Sequence, residues 1–235
     1  MATDETTSGS ITVISSMATR HVLAELTDDY ERMSGQRVTI ESTGGVTAAQ
    51  RIQDGALFDI VVLADDAIER LITAGRVEAG TRIDLARSGI ALAVAAGAPR
   101  PGISDEAAVR DAILAARSIG YSTGPSGSHL MRLFERWGIA KTVAPRVVQA
   151  PPGIPVGELV ACGDIELGIQ QLSELMHLPG IDVIGPLPSD IQVTTVFSAA
   201  LCTTSGKQQA AAKLLAFLAS TQAVDAMLRH GMEPA

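Results

Sequence analysis

Aromatic residues are scarce in this chain: one Trp, two Tyr and four Phe make up 3% of 235 residues. Single-stranded nucleic-acid platforms need aromatic faces on which bases stack, so that class is excluded. Positive charge is also in deficit, with 18 Lys plus Arg against 26 Asp plus Glu and a net charge of -8. Duplex binding draws its affinity from phosphate neutralisation by Lys and Arg, so nucleic acid is not expected as a partner. Cysteine is nearly absent. Cys162 and Cys202 cannot build a disulfide framework or a metal-type pair, and both read as small core residues. No paired Cys/His set or His-x-x-x-His spacing is present, so no metal is expected, and no cofactor. No apolar run reaches the ~18 residues that a membrane span needs, so no stable membrane insertion is expected. The first residues, Met1 to Ser10, lack a basic n-region and an apolar h-region. As written the chain is expected in the cytoplasm, or in the periplasm if a signal peptide has been removed.

Hydrophobic residues make up 46%, enough at this length for a substantial core. Short apolar runs alternate with helix-period stretches, the pattern of an α/β protein with parallel strands covered by helices. Strands are predicted over 11–14, 38–40 and 60–63, each followed by a helix, over 18–33, to 53, and over 66–74 with Gly75 closing it. The character changes near Arg87. An apolar strand over 90–95 opens a second series: a helix over 105–116 capped by Ser104, a strand over 118–121 and a helix over 127–137. Strands over 147–149, 165–170, 181–184 and 192–199 follow, then helices over 208–219 and 223–230. The economical architecture has two α/β lobes: residues 1–87 plus 192–235 form lobe 1, and 88–191 form lobe 2. Two crossings make a hinge, and the cleft between the lobes is the natural binding site.

Strand ends are repeatedly followed by small or hydroxyl residues and then a helix start. Ser15 and Ser16 precede the first helix, and Thr43, Gly44 and Gly45 follow the second strand. Ser122, Gly124, Ser126 and Gly127 open the helix near 127, and Gly153, Ile154 and Pro155 open another. Each hydroxyl taken singly is an N-cap worth about 1 kcal/mol. Four such loops in two α/β units point instead to a small anionic ligand held by unpaired helix N–H groups, close glycine backbone and hydroxyls. No Lys precedes a Ser or Thr as a P-loop requires, and no Gly-x-Gly-x-x-Gly follows the first strand.

Charged candidates are few, and each has a plain structural alternative. Arg20 reaches back to a carboxylate or makes a surface pair; Arg87 clamps an acid or serves the hinge. His129 is a proton donor or a solvent-face residue of its helix, and Arg132 one turn on reads as exposed. Asp65 and Glu174 are cleft groups or helix caps.

Ser15-Ser16, Gly44-Gly45, the run Gly55-Ala-Leu-Phe-Asp-Ile-Val-Val-Leu-Ala-Asp65 and Leu167-Gly-Ile169 together resemble type II periplasmic-binding proteins, nearest to the molybdate-binding-protein superfamily. That resemblance implies two α/β lobes with a ligand cleft between them. Where oxyanion binders of the family carry a Ser in the second loop, this chain has Gly44-Gly45-Val46. Where they often carry a Tyr, it has Gln170 and Gln171, amides suited to an organic acid. Near Ile154 the family uses a backbone N–H that Pro155 lacks. The stretches Gly120–Gly127, Phe134–Gly138, Gln170–Leu175 and Gly231–Pro234 are similar to a sub-branch that includes aconitate isomerase. It implies an allylic proton shift on a small unsaturated acid, for which His129, Asp65 and Glu174 are the candidate acid–base groups. The alternative is the solute receptor of an ABC transporter, whose permease would then be a partner.

Overall fold

The computed structural model describes residues 9–235. The chain first builds β1 (Ile11–Ser16), a single 3-10 turn at Met17–Thr19, α1 (Arg20–Ser34), β2 (Val38–Thr43), α2 (Gly45–Gln53), β3 (Ile60–Ala64), α3 (Asp65–Thr73) and β4 (Ile83–Ser88). It continues through β5 (Ile90–Ala95), α4 (Glu106–Ala115), β6 (Ile119–Tyr121), α5 (Pro125–Arg136), α6 (Ala140–Val143) and β7 (Val147–Gln149). Next come α7 (Val156–Ala161), β8 (Leu167–Gln171), α8 (Leu172–Leu175) and β9 (Ile181–Pro186). The last elements are β10 (Thr195–Leu201), α9 (Gln208–Leu218), α10 (Val224–Arg229) and β11 (Glu233–Pro234).

Two sheets result, each the centre of one lobe. One has the order β11-β4-β10-β3-β1-β2 and the other β7-β6-β8-β5-β9. Both are mixed rather than wholly parallel. β1 runs parallel to β2 and β3, but β10 is antiparallel to β3 and β4; β6 is parallel to β7 and β8, but β5 is antiparallel to β8 and β9. Of the reversed strands, β5 and β10 are entered directly after a crossing, where no crossover helix sets the direction, while β11 follows α10 and lies antiparallel to β4. In the first lobe α1, α9 and α10 seal one core around Ile11, Leu23, Leu26, Phe197 and Leu214, while α2 and α3 seal the opposite face around Ile52, Val61 and Ile68. β3 is buried along its whole length, as a strand covered on both faces must be. The second lobe buries Leu92, Ile113, Leu130, Phe134 and Ile169 on one face and Val156, Val160 and Leu175 on the other.

Several predicted details move. The strand expected over 192–199 runs instead from Thr195 to Leu201, because Gln192 is occupied in the crossing. The strand at Ile83–Ser88, which is not predicted, pairs between β10 and β11. The cap of α4 is Asp105, whose carboxylate accepts from Ala108 N at 2.9 Å; Ser104 donates to Asp105 instead. Pro155 is the residue before α7 rather than its first. Cys202 is buried as expected, whereas Cys162 is exposed. No single helix among the described residues is long and apolar enough to cross a membrane; the bent pair α9–α10, which passes by composition, buries its apolar face in the first core.

The crossings set the relation between the lobes. Gly89 alone separates β4 from β5, and the return lies between Pro186 and Thr195. Gln192 bridges them: its Oε1 accepts from Ile90 N and its Nε2 donates to Ile90 O, both at 2.9 Å. Gln171 does the same from the other side. Oriented by its partners, its amide donates to Ser88 O (2.9 Å) and Gly89 O (3.1 Å) and accepts from Thr195 Oγ1 (2.8 Å).

Asp59, at 4% exposure, ties the first lobe together ahead of β3. Its Oδ2 accepts from Thr12 N (2.8 Å) and Thr12 Oγ1 (3.0 Å), Oδ1 accepts from Ser205 Oγ (2.7 Å), and Lys207 Nζ lies 3.2 Å from Oδ2. Burial alone would raise its pKa, but these hydrogen bonds more than offset that and hold it below the ordinary carboxylate value. The stabilisation is therefore present above the unfolded pKa and is lost as pH falls through the lower folded one. Asp59→Ala is expected to cost about 3 kcal/mol at pH 7. Denaturant unfolding at pH 7 and below pH 4 checks this, the difference between the two proteins shrinking in acid.

Candidate functional site

The C-terminal ends of β1, β2, β3, β6 and β8 face one crevice between the sheets, the place where open α/β sheets bind ligands. It encloses a cavity of about 670 Å³ lined from both lobes. At its mouth, Gly44 of the first lobe approaches the Pro152–Gly153 loop of the second.

Ser16, Gly44 and Gly45 line the cavity from the first lobe. Ser16 is 7% exposed, and its Oγ is the one buried side-chain oxygen or nitrogen without a hydrogen-bond partner among the described residues. A buried hydroxyl in that state costs free energy unless something occupies it. Gly45 opens α2 beside it, presenting the first N–H groups of that helix. From the second lobe come Ser122, Gly124 and Ser126, at the start of α5. Pro125 at the first position has no N–H, so those of Ser126 and Gly127 are the free donors there. Ser122 Oγ and Ser126 Oγ lie 3.2 Å apart, and Ser122 Oγ also accepts from Gly124 N at 3.3 Å. Gly127, expected as a ligand residue, does not line the cavity; it is required for packing, since a Cβ there would sit 1.8 Å from Ser122 O.

Gln170, Glu174 and Ile154 complete the second-lobe wall. Gln170 Oε1 accepts from Val156 N at 2.8 Å and its Nε2 donates to Glu174 Oε1 at 2.7 Å, so its amide is committed to orienting Glu174. Burial pushes the Glu174 carboxyl up to about 8, against the opposing effects of the Gln170 bond and the Arg20 charge. Ile154 is 41% exposed, and its own N–H is used in a turn to Pro151 O. Asp65 lines the cavity but accepts from Asp66 N at 2.8 Å; with Asp66 it fills the positive end of α3, leaving α2 and α5 as the anion-facing helix ends.

Other expected site residues are placed elsewhere. Ser15 is buried with its Oγ 2.8 Å from Ser42 Oγ, a cross-strand bond. Thr43 pairs with Ser16 at the end of β2 and does not line the cavity. Arg87 is exposed on β4, opposite Val196 and Glu233, away from the cavity. Arg20 opens α1 and sets its guanidinium 3.1 Å from His21 Nε2. His129 is neither on the solvent face nor in the cavity: at 9% exposure its Nε2 lies 2.7 Å from Ile191 O, and burial lowers its pKa, so the neutral ring donates to that carbonyl. Gln171 lines the cavity, yet its amide is spent on the hinge.

Two cations line the cavity that the sequence does not single out as ligands. Arg70 of α3 pairs with Asp66 at 2.8 Å. Arg132 of α5, predicted to be simply exposed, faces the cavity one turn beyond Ser128 and makes no ion pair among the described residues. The four-residue spacing of Ser128 and Arg132 behind the Gly-Pro-Ser-Gly start was the available signal.

The family model of the bacterial extracellular solute-binding proteins matches residues 11–233. The aconitate isomerase of Pseudomonas sp. is 36% identical over 230 residues, spanning 95% of this chain and 87% of that protein. The molybdate-binding protein ModA of Azotobacter vinelandii is 25% identical, spanning 89% of this chain and 84% of its own length. A solved periplasmic molybdate-binding protein of Azotobacter vinelandii superposes with a TM-score of 0.80 at 20% identity, over 94% of this chain and 98% of that one.

Because the Glu174 carboxyl is raised in the folded state, the fold binds a proton that the unfolded chain releases. Its ionisation therefore costs stability increasingly as pH rises from the ordinary carboxylate value through about 8. Glu174→Gln, which keeps the shape without the charge, is expected to match the parent protein near pH 5 and to melt at a higher temperature by pH 8.5. Thermal unfolding across that range measures it; equal melting curves throughout would show an unperturbed carboxyl.

Proposed function

The chain belongs to the bacterial extracellular solute-binding protein family, and from that premise we propose that its cleft binds a small unsaturated di- or tricarboxylate and shifts its double bond. The observation that carries this reading is the placement of Glu174 in the same cavity as Ser16 and the starts of α2 and α5. Two helix N-termini, the spare Ser16 hydroxyl and Arg132 supply donors for carboxylates on both sides of the ligand. A carboxyl that titrates near 8 can both take and return a proton close to neutrality. The cavity volume of about 670 Å³ suits an organic acid better than a tetrahedral oxyanion.

In this mechanism the Glu174 carboxylate removes a proton from the methylene carbon. The C–H electron pair becomes the new double bond, and the former double bond delivers its electrons toward the far carbon and its carboxylate. Helix N–H groups, Ser16 and Arg132 stabilise that dienolate-like charge. Glu174, now protonated, returns the proton to the formerly vinylic carbon, so no net proton is gained or lost. His129 and Asp65 take no part, since one is bonded to Ile191 O and the other accepts from Asp66 N in the first turn of α3. The relative of this activity is the aconitate isomerase at 36% identity. A solute receptor for a transporter is the second reading, favoured by the two-crossing hinge.

Proton NMR of cis-aconitate with the protein in deuterated water distinguishes them. Appearance of the trans isomer, or deuterium in the methylene, is the expected result. Binding by calorimetry with neither change would make the protein a receptor. Glu174→Gln is expected to keep binding and lose at least about 10²-fold in rate, whereas Arg132→Ala is expected to weaken binding by about 1–3 kcal/mol.

A further inference from the structure

Three of the chain's 4 histidines converge away from the cavity. His21 lies on α1, His230 follows α10, and His177 lies just beyond α8, which comes from the other lobe. The rings of His177 and His230 are 4.7 Å apart, and His21 is 5.5 and 6.2 Å from them. His230 Nδ1 lies 2.9 Å from His177 Nε2, and His230 Nε2 lies 2.8 Å from Glu25 Oε2. Glu25 is also paired with Arg229. A carboxylate only accepts, so His230 donates to Glu25 through Nε2; in the neutral pair its Nδ1 accepts from His177 Nε2–H across the lobes.

That bond anchors the far end of a very short element. α8 spans only Leu172–Leu175, too few residues to persist without tertiary support. Its start is held by Leu172 N on Gly89 O at 2.9 Å and by the Gln171 amide. Its end turns against lobe 1, where Gly231 approaches so closely that a Cβ there would lie 2.5 Å from Met176 Sδ and 3.1 Å from Leu172 Cγ. Glu174 sits between these two anchors, one turn before His177.

We propose that His177 and His230 are positioning residues: their hydrogen bond across the lobes, backed by Glu25, holds α8 so that the Glu174 carboxyl stays at the cavity wall. For its catalytic consequence this rests on the proposed isomerase activity. The groups facing the cluster are Arg20, His21 and Glu25 from α1 and Arg229 from α10, whose backbone also hydrogen-bonds His177. One added proton leaves an N–H···N bond intact, but a second makes both nitrogens donors and opens it. Burial, then the charge of His230, hold His177 below the ordinary histidine value. The anchor is therefore complete above that value and is lost as pH falls through the lower one.

The test compares the parent protein with His177→Ala, His230→Ala, the double variant and His177→Gln, whose amide can still donate to His230 Nδ1. With cis-aconitate at pH 7.5, each Ala variant is expected to lose about ten- to a hundredfold in kcat, with KM nearly unchanged. The double variant should be no worse than either single, and His177→Gln should recover most of the rate. Hydrogen exchange at the backbone amides of 172–176, measured without ligand, should quicken in the Ala variants. Unchanged kcat, multiplying losses in the double variant, or no recovery in His177→Gln would overturn the proposal. If the parent does not isomerise cis-aconitate, the isomerase reading fails, and unchanged exchange at 172–176 separately overturns the anchor.

Discussion

The arrangement of this molecule depends on how the chain passes between its two sheets. One passage is a single glycine; the other is held in the second-lobe core by Leu187 and Ile191, and glutamine amides tie the two together. Gln192 mimics a strand partner for Ile90, satisfying its N–H and C=O together. Gln171 joins Ser88 and Gly89 on one passage to Thr195 on the other. Buried backbone groups at a crossing have no ladder neighbour, and leaving them unpaired would cost more than a typical hydrogen bond contributes. The two amides satisfy these groups, and they fix how the two passages sit beside one another.

Electrostatics inside the cleft runs against the charge of the whole. A chain of net charge -8 repels anions at long range, so the binding of one must come from local groups that water does not screen. Helix ends do this with partial charges already aligned toward the cavity, and they need no full cation to be desolvated. α3 is excluded from that role by its own Asp65 and Asp66. The donors concentrate at α2, α5 and Ser16, with Arg132 the full positive charge that the second lobe adds. On the same wall, Glu174 is held by Gln170 in an environment that favours its neutral form.

Much of the fold was legible because its signals are local. β3 is an unbroken apolar run that leads into Asp65, and β5 at the centre of the other sheet is equally apolar. The α5 helix announces itself by the spacing of Leu130, Leu133 and Phe134, all buried on one face, although it starts at Pro125, two residues ahead of the expected Gly127. β4 was not legible, since Ile83–Ser88 mixes charge with apolar residues and owes its strand conformation to β10 and β11 on either side. His129 misled for a related reason: its position in the first turn of α5 suggested solvent, but the return crossing at Ile191 covers that face.

The candidate site divides the same way. The glycine and hydroxyl residues that open α2 and α5 were determined by sequence alone, because a helix start needs those residue types within a few positions of a strand end. Which of them turn to the cavity, and which merely join strands as Ser15 does with Ser42, depends on contacts between segments far apart in the chain. Tertiary structure alone decided the state of Glu174, since its carboxyl is flanked by Gln170 from β8 and by the charge of Arg20 from α1. It alone decided that Arg132 faces the cavity and that His177 meets His230 across 53 residues. A pKa and a hydrogen-bond partner are properties of a packed environment, and no local pattern of residues encodes them.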